Sequence, residues 1–150
     1  MIPKKILFCT DFSKNALPAQ QCALDYAKCF GAAVIILHVI GAWPVHAYKD
    51  KVRIDEHRVV QGIKEPVNVD LALIADKFRK ELKDVEAHTR FGAPADEIVR
   101  LAKEESVCLI VMGTHGWTGF RYMMLGSVAE KVMRAAPCSV LVVRSQSEGS

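Results

Sequence analysis

Val111-Met112-Gly113-Thr114-His115-Gly116, followed by Leu125-Gly126-Ser127-Val128, is the stretch whose reading decides the fold. An apolar run enters Gly113, glycines punctuate what comes next, and a helical pattern begins at Ser127, so the segment reads as strand end, loop and helix start. In folds of alternating strands and helices such a junction is where an anion meets exposed backbone amides. Gly113 and Gly116 are expected to free the main chain for positive φ and to let a ligand approach without a Cβ in the way. Gly126 and Ser127 add helix-start amides and a hydroxyl, and a helix N-terminus carries roughly half a positive charge.

Working outward, the same logic organises the rest of the chain. Lys5 to Thr10, Ala32 to Val39, Val107 to Met112 and Ser139 to Val143 are short apolar runs, as expected of parallel strands covered on both faces. Val85 to Phe91 instead alternates apolar and polar residues, which places it at a sheet edge. Between them, Ser13 is a candidate N-cap for a helix from about Lys14 to Phe30, with Ala16, Ala23, Ala27 and Phe30 on one face and Gly31 closing it. Val67 to Leu82 resumes helical spacing through Leu71, Ile74, Ala75 and Phe78. Pro94 opens a helix with Asp96 and Glu97 in its first turn and Ile98, Leu101 and Ala102 facing inward. Residues 41–66 read as an irregular excursion with a helical turn of its own around Asp55 to Gln61, and 144–150 as a polar tail. Five strands alternating with four helices predict an α/β fold: a single doubly wound, five-stranded parallel sheet in the order 3-2-1-4-5, Rossmann-like.

That order reverses direction between the first and fourth strands, and ligands in such sheets bind in the crevice opened there. Asp11, directly after the first strand, then faces the glycine loop. A carboxylate accepts hydrogen bonds from both hydroxyls of a ribose, and the loop suits phosphates.

Bulk properties narrow the alternatives. At 150 residues with 51% hydrophobic content, one domain with a sizeable core is expected over 1–150. The net charge of +3 is spread over scattered lysines and arginines, which argues against nucleic acid. No apolar run approaches the ~20 residues of a membrane span, and the opening residues are unlike a secretory signal, so a cytoplasmic protein is expected. The five cysteines (9, 22, 29, 108 and 138) contain no Cys-x-x-Cys pair and read as reduced thiols, and neither they nor the histidines have metal-ligand spacing.

Neither the Walker loop nor Gly-x-Gly-x-x-Gly occurs. Two residues separate Gly113 from Gly116, nine separate Gly116 from Gly126, and Ser127 follows. This Gly-x2-Gly-x9-Gly-Ser spacing resembles the ATP-binding signature of the universal stress protein family. Ile6 to Ser13, Leu37-His38-Val39 and Ala136 to Val143 resemble the family's first, second and closing strands. The resemblance implies that Thr10 and Asp11 meet adenine and ribose, that Val39 lies against adenine through its backbone, and that Met112 and Gly113 border ribose and phosphates. It further implies that Gly116, Gly126, Ser127 and Val128 hold the phosphates of ATP, or of AMP or ADP, with Mg²⁺. Cys9 and Ser139 depart from residues common in the family, and neither departure removes a phosphate donor.

His115 is a candidate phosphate contact or base, with a solvated loop residue as the competing reading; Arg121 is a candidate γ-phosphate contact on the same terms. Ser127 reads as helix cap and phosphate donor rather than nucleophile, and His38 as a satisfied residue at a strand end. Trp117, Phe120, Tyr122, Met123, Met124 and Leu125 make an apolar loop interior suited to packing over a nucleotide or against a second subunit. The wholly apolar last strand falls at an edge, and pairing with its twin in a homodimer would remove that liability. The sequence thus points to an ATP-binding, homodimeric, nucleotide-responsive binding module acting in stress response, with no catalytic residue assigned. The alternative is a slow ATPase or phosphotransferase, including autophosphorylation, on the same site, against which stands the lack of a P-loop lysine or evident base.

Overall fold

The computed structural model describes residues 2–41, 56–114 and 125–145. Five strands, β1 (Lys5–Cys9), β2 (Ala33–Ile40), β3 (Val85–Phe91), β4 (Leu109–Gly113) and β5 (Ser139–Val143), form one sheet in the order β3-β2-β1-β4-β5. Every neighbouring pair is parallel, as expected. Helices α1 (Leu17–Phe30), α2 (Glu56–Arg79), α3 (Pro94–Glu104) and α4 (Ser127–Ala135) supply the crossovers.

β1, β2, β4 and β5 are largely apolar because successive side chains leave the sheet on opposite faces and both faces are covered. Ile6, Phe8, Val34, Ile36 and Val111 pack with Ala19, Ala23 and Ala27 of α1 and Leu71, Ala75 and Phe78 of α2. Leu7, Ile35, Leu37 and Ile110 pack on the other face with Ile98 and Leu101 of α3 and Ala129 and Val132 of α4. Phe8 stacks on Phe78 at 6.1 Å between ring centroids, which ties β1 to α2. β3 lies at one edge, as expected, but its exposure does not follow the alternation: Ala87 and Phe91 are exposed while His88, Thr89 and Arg90 are half-buried.

Four local expectations are corrected. α2 begins at Glu56 and runs through Pro66, so residues 56–66 are helical rather than part of an irregular excursion. Pro66 removes the amide that would bond the Gly62 carbonyl, but residues 61–62 and 65–66 are exposed, and water can take that carbonyl. Ser13 does not cap a helix with its side chain. A 3-10 turn over Lys14–Ala16 precedes α1, the Ser13 amide donates to Asp11 Oδ1, and the buried Ser13 hydroxyl has no hydrogen-bond partner. Phe30 leaves the buried face of α1, which runs through Ala19, Gln20, Ala23, Leu24 and Ala27, and sits exposed in an edge contact with Tyr26. Gly113 lies inside β4, and the positive-φ glycines among the described residues are Gly31, which closes α1 as expected, and Gly92. The remainder of the 41–66 segment, the apolar loop interior from Trp117 to Met124, and the tail from 146 lie outside the described residues.

Candidate functional site

β1 and β4 are adjacent in the sheet but their crossovers leave in opposite directions, α1 to one face and α4 to the other. This splits the carboxyl end of the sheet and opens a cleft there. Its described lining comes from the ends of β1 (Cys9, Thr10, Asp11), β2 (Leu37, His38, Val39) and β4 (Met112, Gly113, Thr114), from the starts of α3 (Pro94, Ile98) and α4 (Gly126 to Ala129), and from Ala16. The cavity measures about 240 Å³. That exceeds the ~150 Å³ pocket that accepts a benzene ring, so a ring system fits.

The β1 side is held by a dense set of short bonds. The Thr10 amide donates to the Leu37 carbonyl (2.9 Å), and its Oγ1 accepts from the Phe12 amide (3.0 Å). His38 Nδ1 donates to the Thr10 carbonyl (2.8 Å). That carbonyl fixes the tautomer, leaving Nε2 as the acceptor of the neutral ring. Phe12 stacks on the His38 ring at 4.4 Å and adopts a left-handed φ of 63°, a conformation costing roughly 1–2 kcal/mol in a non-glycine residue. These contacts turn the chain sharply at the strand end and seat Asp11 at the cleft, with Oδ1 receiving the Ser13 amide at 2.9 Å. Asp11 is the formally charged side chain of the described lining. Cys9 is buried beside it, and burial pushes its thiol well above the ordinary range, with nearby Cys138 adding to the rise.

The opposite wall is backbone. The Thr114 amide donates to the Val143 carbonyl (3.1 Å), and the Gly126 amide returns the chain to the Thr114 carbonyl (2.8 Å). Gly126 is the N-cap residue, at φ −61° and ψ 151°, and its carbonyl accepts from the Glu130 amide at 3.0 Å. Ser127 is therefore the first residue of α4 rather than its cap. The amides of residues 127–129 have no acceptor within the helix and project from its positive end toward the cleft. An acid that can hold a diol thus faces a row of amides that can hold an anion, with apolar Val39, Pro94, Ile98 and Met112 between them.

Of the residues singled out from sequence, Thr10, Asp11, Val39, Met112, Gly113, Gly126, Ser127 and Val128 are brought to one cleft. His115, Gly116 and Arg121 lie outside the described residues. Sequence reasoning left out Pro94, Ile98 and Thr114 and read His38 as merely satisfied; His38 is satisfied at Nδ1 and lines the cleft as well. Pro94 and Ile98 carried no signal of their own, because a proline and an inward-facing isoleucine at a helix start are what packing alone would require. Among the described residues no helix is long and apolar enough to cross a membrane.

Comparison with known proteins bears on this site. The model of the universal stress protein family matches residues 3–144. Universal stress protein MJ0531 of Methanocaldococcus jannaschii is 37% identical over 145 residues, covering 94% of this chain and 82% of the relative. Universal stress protein YxiE of Bacillus subtilis is 35% identical over 145 residues, covering 93% and 98%. The solved structure of MJ0577 superposes with a TM-score of 0.88 at 30% identity, covering 99% of this chain and all of that one. More distant structures share the fold. They include a universal stress protein in complex with cAMP (TM-score 0.72, 24% identity, 97% of this chain and 100% of that one). Another is the Archaeoglobus fulgidus protein in complex with dAMP (TM-score 0.65, 24%, 96% and 100%). With the matched model spanning nearly the whole chain and curated relatives above 30% identity over most of their length, this chain belongs to the universal stress protein family.

Proposed function

We propose that the chain binds ATP, with Mg²⁺ carried on the nucleotide's phosphate oxygens, in the cleft between β1 and β4. In this reading it works as a homodimeric, nucleotide-responsive binding module in stress response. The observation that carries the proposal is the juxtaposition of Asp11 with the amide-lined start of α4 across one cavity. Asp11 accepts from the ribose hydroxyls, the amides of residues 127–129 and the Ser127 hydroxyl donate to phosphate oxygens, and Val39, Pro94, Ile98 and Met112 flank the base. Thr10 positions Asp11 through its own backbone and hydroxyl bonds. Gly116 is assigned to the phosphate end from the signature spacing, and His115 and Arg121 from their places in the loop between the glycines. The adenine nucleotides in the cAMP and dAMP complexes of two structural neighbours support the ligand class.

Calorimetric titration of Mg·ATP into the wild type, Asp11→Ala and Gly126→Val tests the assignment. Loss of one charged hydrogen-bond acceptor weakens binding by about 10- to 100-fold, equivalent to roughly 1.5–3 kcal/mol. Unchanged affinity in both variants would remove the site from the cleft. Mass spectrometry of nucleotide carried through purification reports whether ATP, ADP or AMP is the form retained.

A further inference from the structure

β4 and β5 pair in parallel with Leu109 opposite Ser139 and Ile110 opposite Val140. One residue earlier on each strand stands a cysteine, Cys108 and Cys138. The two cysteines thus enter neighbouring parallel strands side by side, at the amino-terminal end of the pair. Cys138 packs with Ile110 and Val140 on the α3–α4 side of the sheet. Neighbouring strands lie ~4.8 Å apart, inside the ~4.4–6.8 Å range of Cα separations that a disulfide spans. Both residues are only partly buried, so a small oxidant reaches them. The proximity registers electrostatically: burial raises the Cys138 thiol, and the neighbouring Cys108 raises it further.

We propose that Cys108 and Cys138 form a dithiol site that peroxide closes to an intramolecular disulfide, stapling the edge strand β5 to β4. The chemistry needs two thiols and one hydrogen peroxide. The Cys108 thiolate attacks the peroxide, an S–O bond forms as the O–O bond breaks, and the departing hydroxide leaves as water with the thiol's proton. Sulfur is oxidised to the sulfenic acid and the peroxide is reduced. Cys138 then attacks that sulfur, an S–S bond forms as the S–O bond breaks, and a second water leaves with the Cys138 proton. Burial keeps the Cys138 thiol protonated until it attacks, so adjacency to the Cys108 sulfur rather than acidity carries this second, resolving step. Cys29, on the exposed end of α1, has no such cysteine opposite it, and Cys9 is buried beside the cleft. The site needs no nucleotide and stands whether or not the cleft binds one.

The full-length reduced protein is treated with hydrogen peroxide and digested with trypsin without reduction. Fragments 104–121 and 135–144 each hold one of the two cysteines. The expected product is these fragments joined, about 2 Da lighter than the separate pair, from protein that still migrates as a single chain of 16.6 kDa. Free thiols titrated after denaturation fall by two from the five of the sequence, and dithiothreitol restores them. Cys108→Ser and Cys138→Ser each abolish the joined fragment. Oxidation of Cys29 with fragments 104–121 and 135–144 still separate would overturn the proposal. So would sulfinic acid at either position without a link, or a disulfide joining two copies of the chain; the wild-type map decides even if a variant folds poorly.

Discussion

Two buried residues near the cleft set opposing local costs that can be measured. The Ser13 hydroxyl is buried to 4% exposure with no hydrogen-bond partner, although its own amide is well bonded. An orphaned buried hydroxyl costs about 1–3 kcal/mol, so Ser13→Ala is expected to stabilise the fold by about 1 kcal/mol, read as a higher urea midpoint with unchanged slope. Cys9 carries a pH dependence of definite sign. Its thiol pKa is raised in the fold above the ordinary 9.0, so the unfolded chain ionises first as pH rises. The stability this contributes is complete below about pH 9 and declines above it by about 1.4 kcal/mol per pH unit. Cys9→Ala is expected to lie below wild type in stability at pH 8, with the gap closing at that slope in urea titrations taken above pH 9; a constant gap would mean the thiol ionises in the fold. At this scale the sequence was legible only in part. The acid after β1 could be read because few packing needs place a carboxylate there. The orphan at Ser13 could not, since a serine before a helix looks like a cap until the 3-10 turn moves the helix start to Leu17.

Secondary elements were readable where burial on two faces forced a continuous apolar run, as in β1, β2 and β4, and where a polar-interleaved run marked the edge strand β3. The start of α2 was not, because Pro66 is a strong breaker signal and the turns on either side of it are largely exposed and lack a clean apolar stripe. The helix persists through that proline because packing of Leu71, Ala75 and Phe78 anchors its second half. Pro66→Ala restores an amide for the Gly62 carbonyl and removes the ring clash. It is expected to stabilise the protein by about 1–3 kcal/mol, seen as a higher urea midpoint and stronger helical circular dichroism. A lower midpoint would mean the proline shapes a bend that the sheet requires. The edge strand β5 carries the other expectation at this scale. Val140 to Val143 face the two core layers, while among the described residues no strand lies beside the outer backbone edge of β5. Pairing with a second copy would satisfy those groups. Sedimentation velocity at micromolar concentration is expected to give twice the 16.6 kDa chain mass, and a species of single-chain mass would remove the dimer from the proposal.

On the scale of the molecule, the cleft exists because residues separated by about a hundred positions end on neighbouring strands. Asp11 and Gly113 meet only through the β1–β4 pairing of Ile6 with Leu109 and Phe8 with Val111. The strand order that creates this meeting followed from apolar patterning and crossover handedness. The lining from α3 did not, since Pro94 and Ile98 reach the cleft only through the way α3 lies on the sheet beside α4. A ligand that bridges both walls binds the folded chain and not the unfolded one, and therefore stabilises the whole fold. At Mg·ATP one hundred times its dissociation constant the stabilisation is about 2.7 kcal/mol. For a chain of this size 1 kcal/mol moves the melting midpoint by about 2–4 °C, so an upward shift of roughly 5–10 °C is expected by scanning calorimetry. Asp11→Asn keeps an oxygen acceptor for the Ser13 amide but lacks the charge and second acceptor a ribose diol uses. It should melt near the wild type without nucleotide yet shift by only a few degrees at the same ATP concentration. A full shift in that variant would mean the nucleotide sits elsewhere. A variant already far less stable without nucleotide would mean that Asp11 holds the β1 turn rather than the ligand.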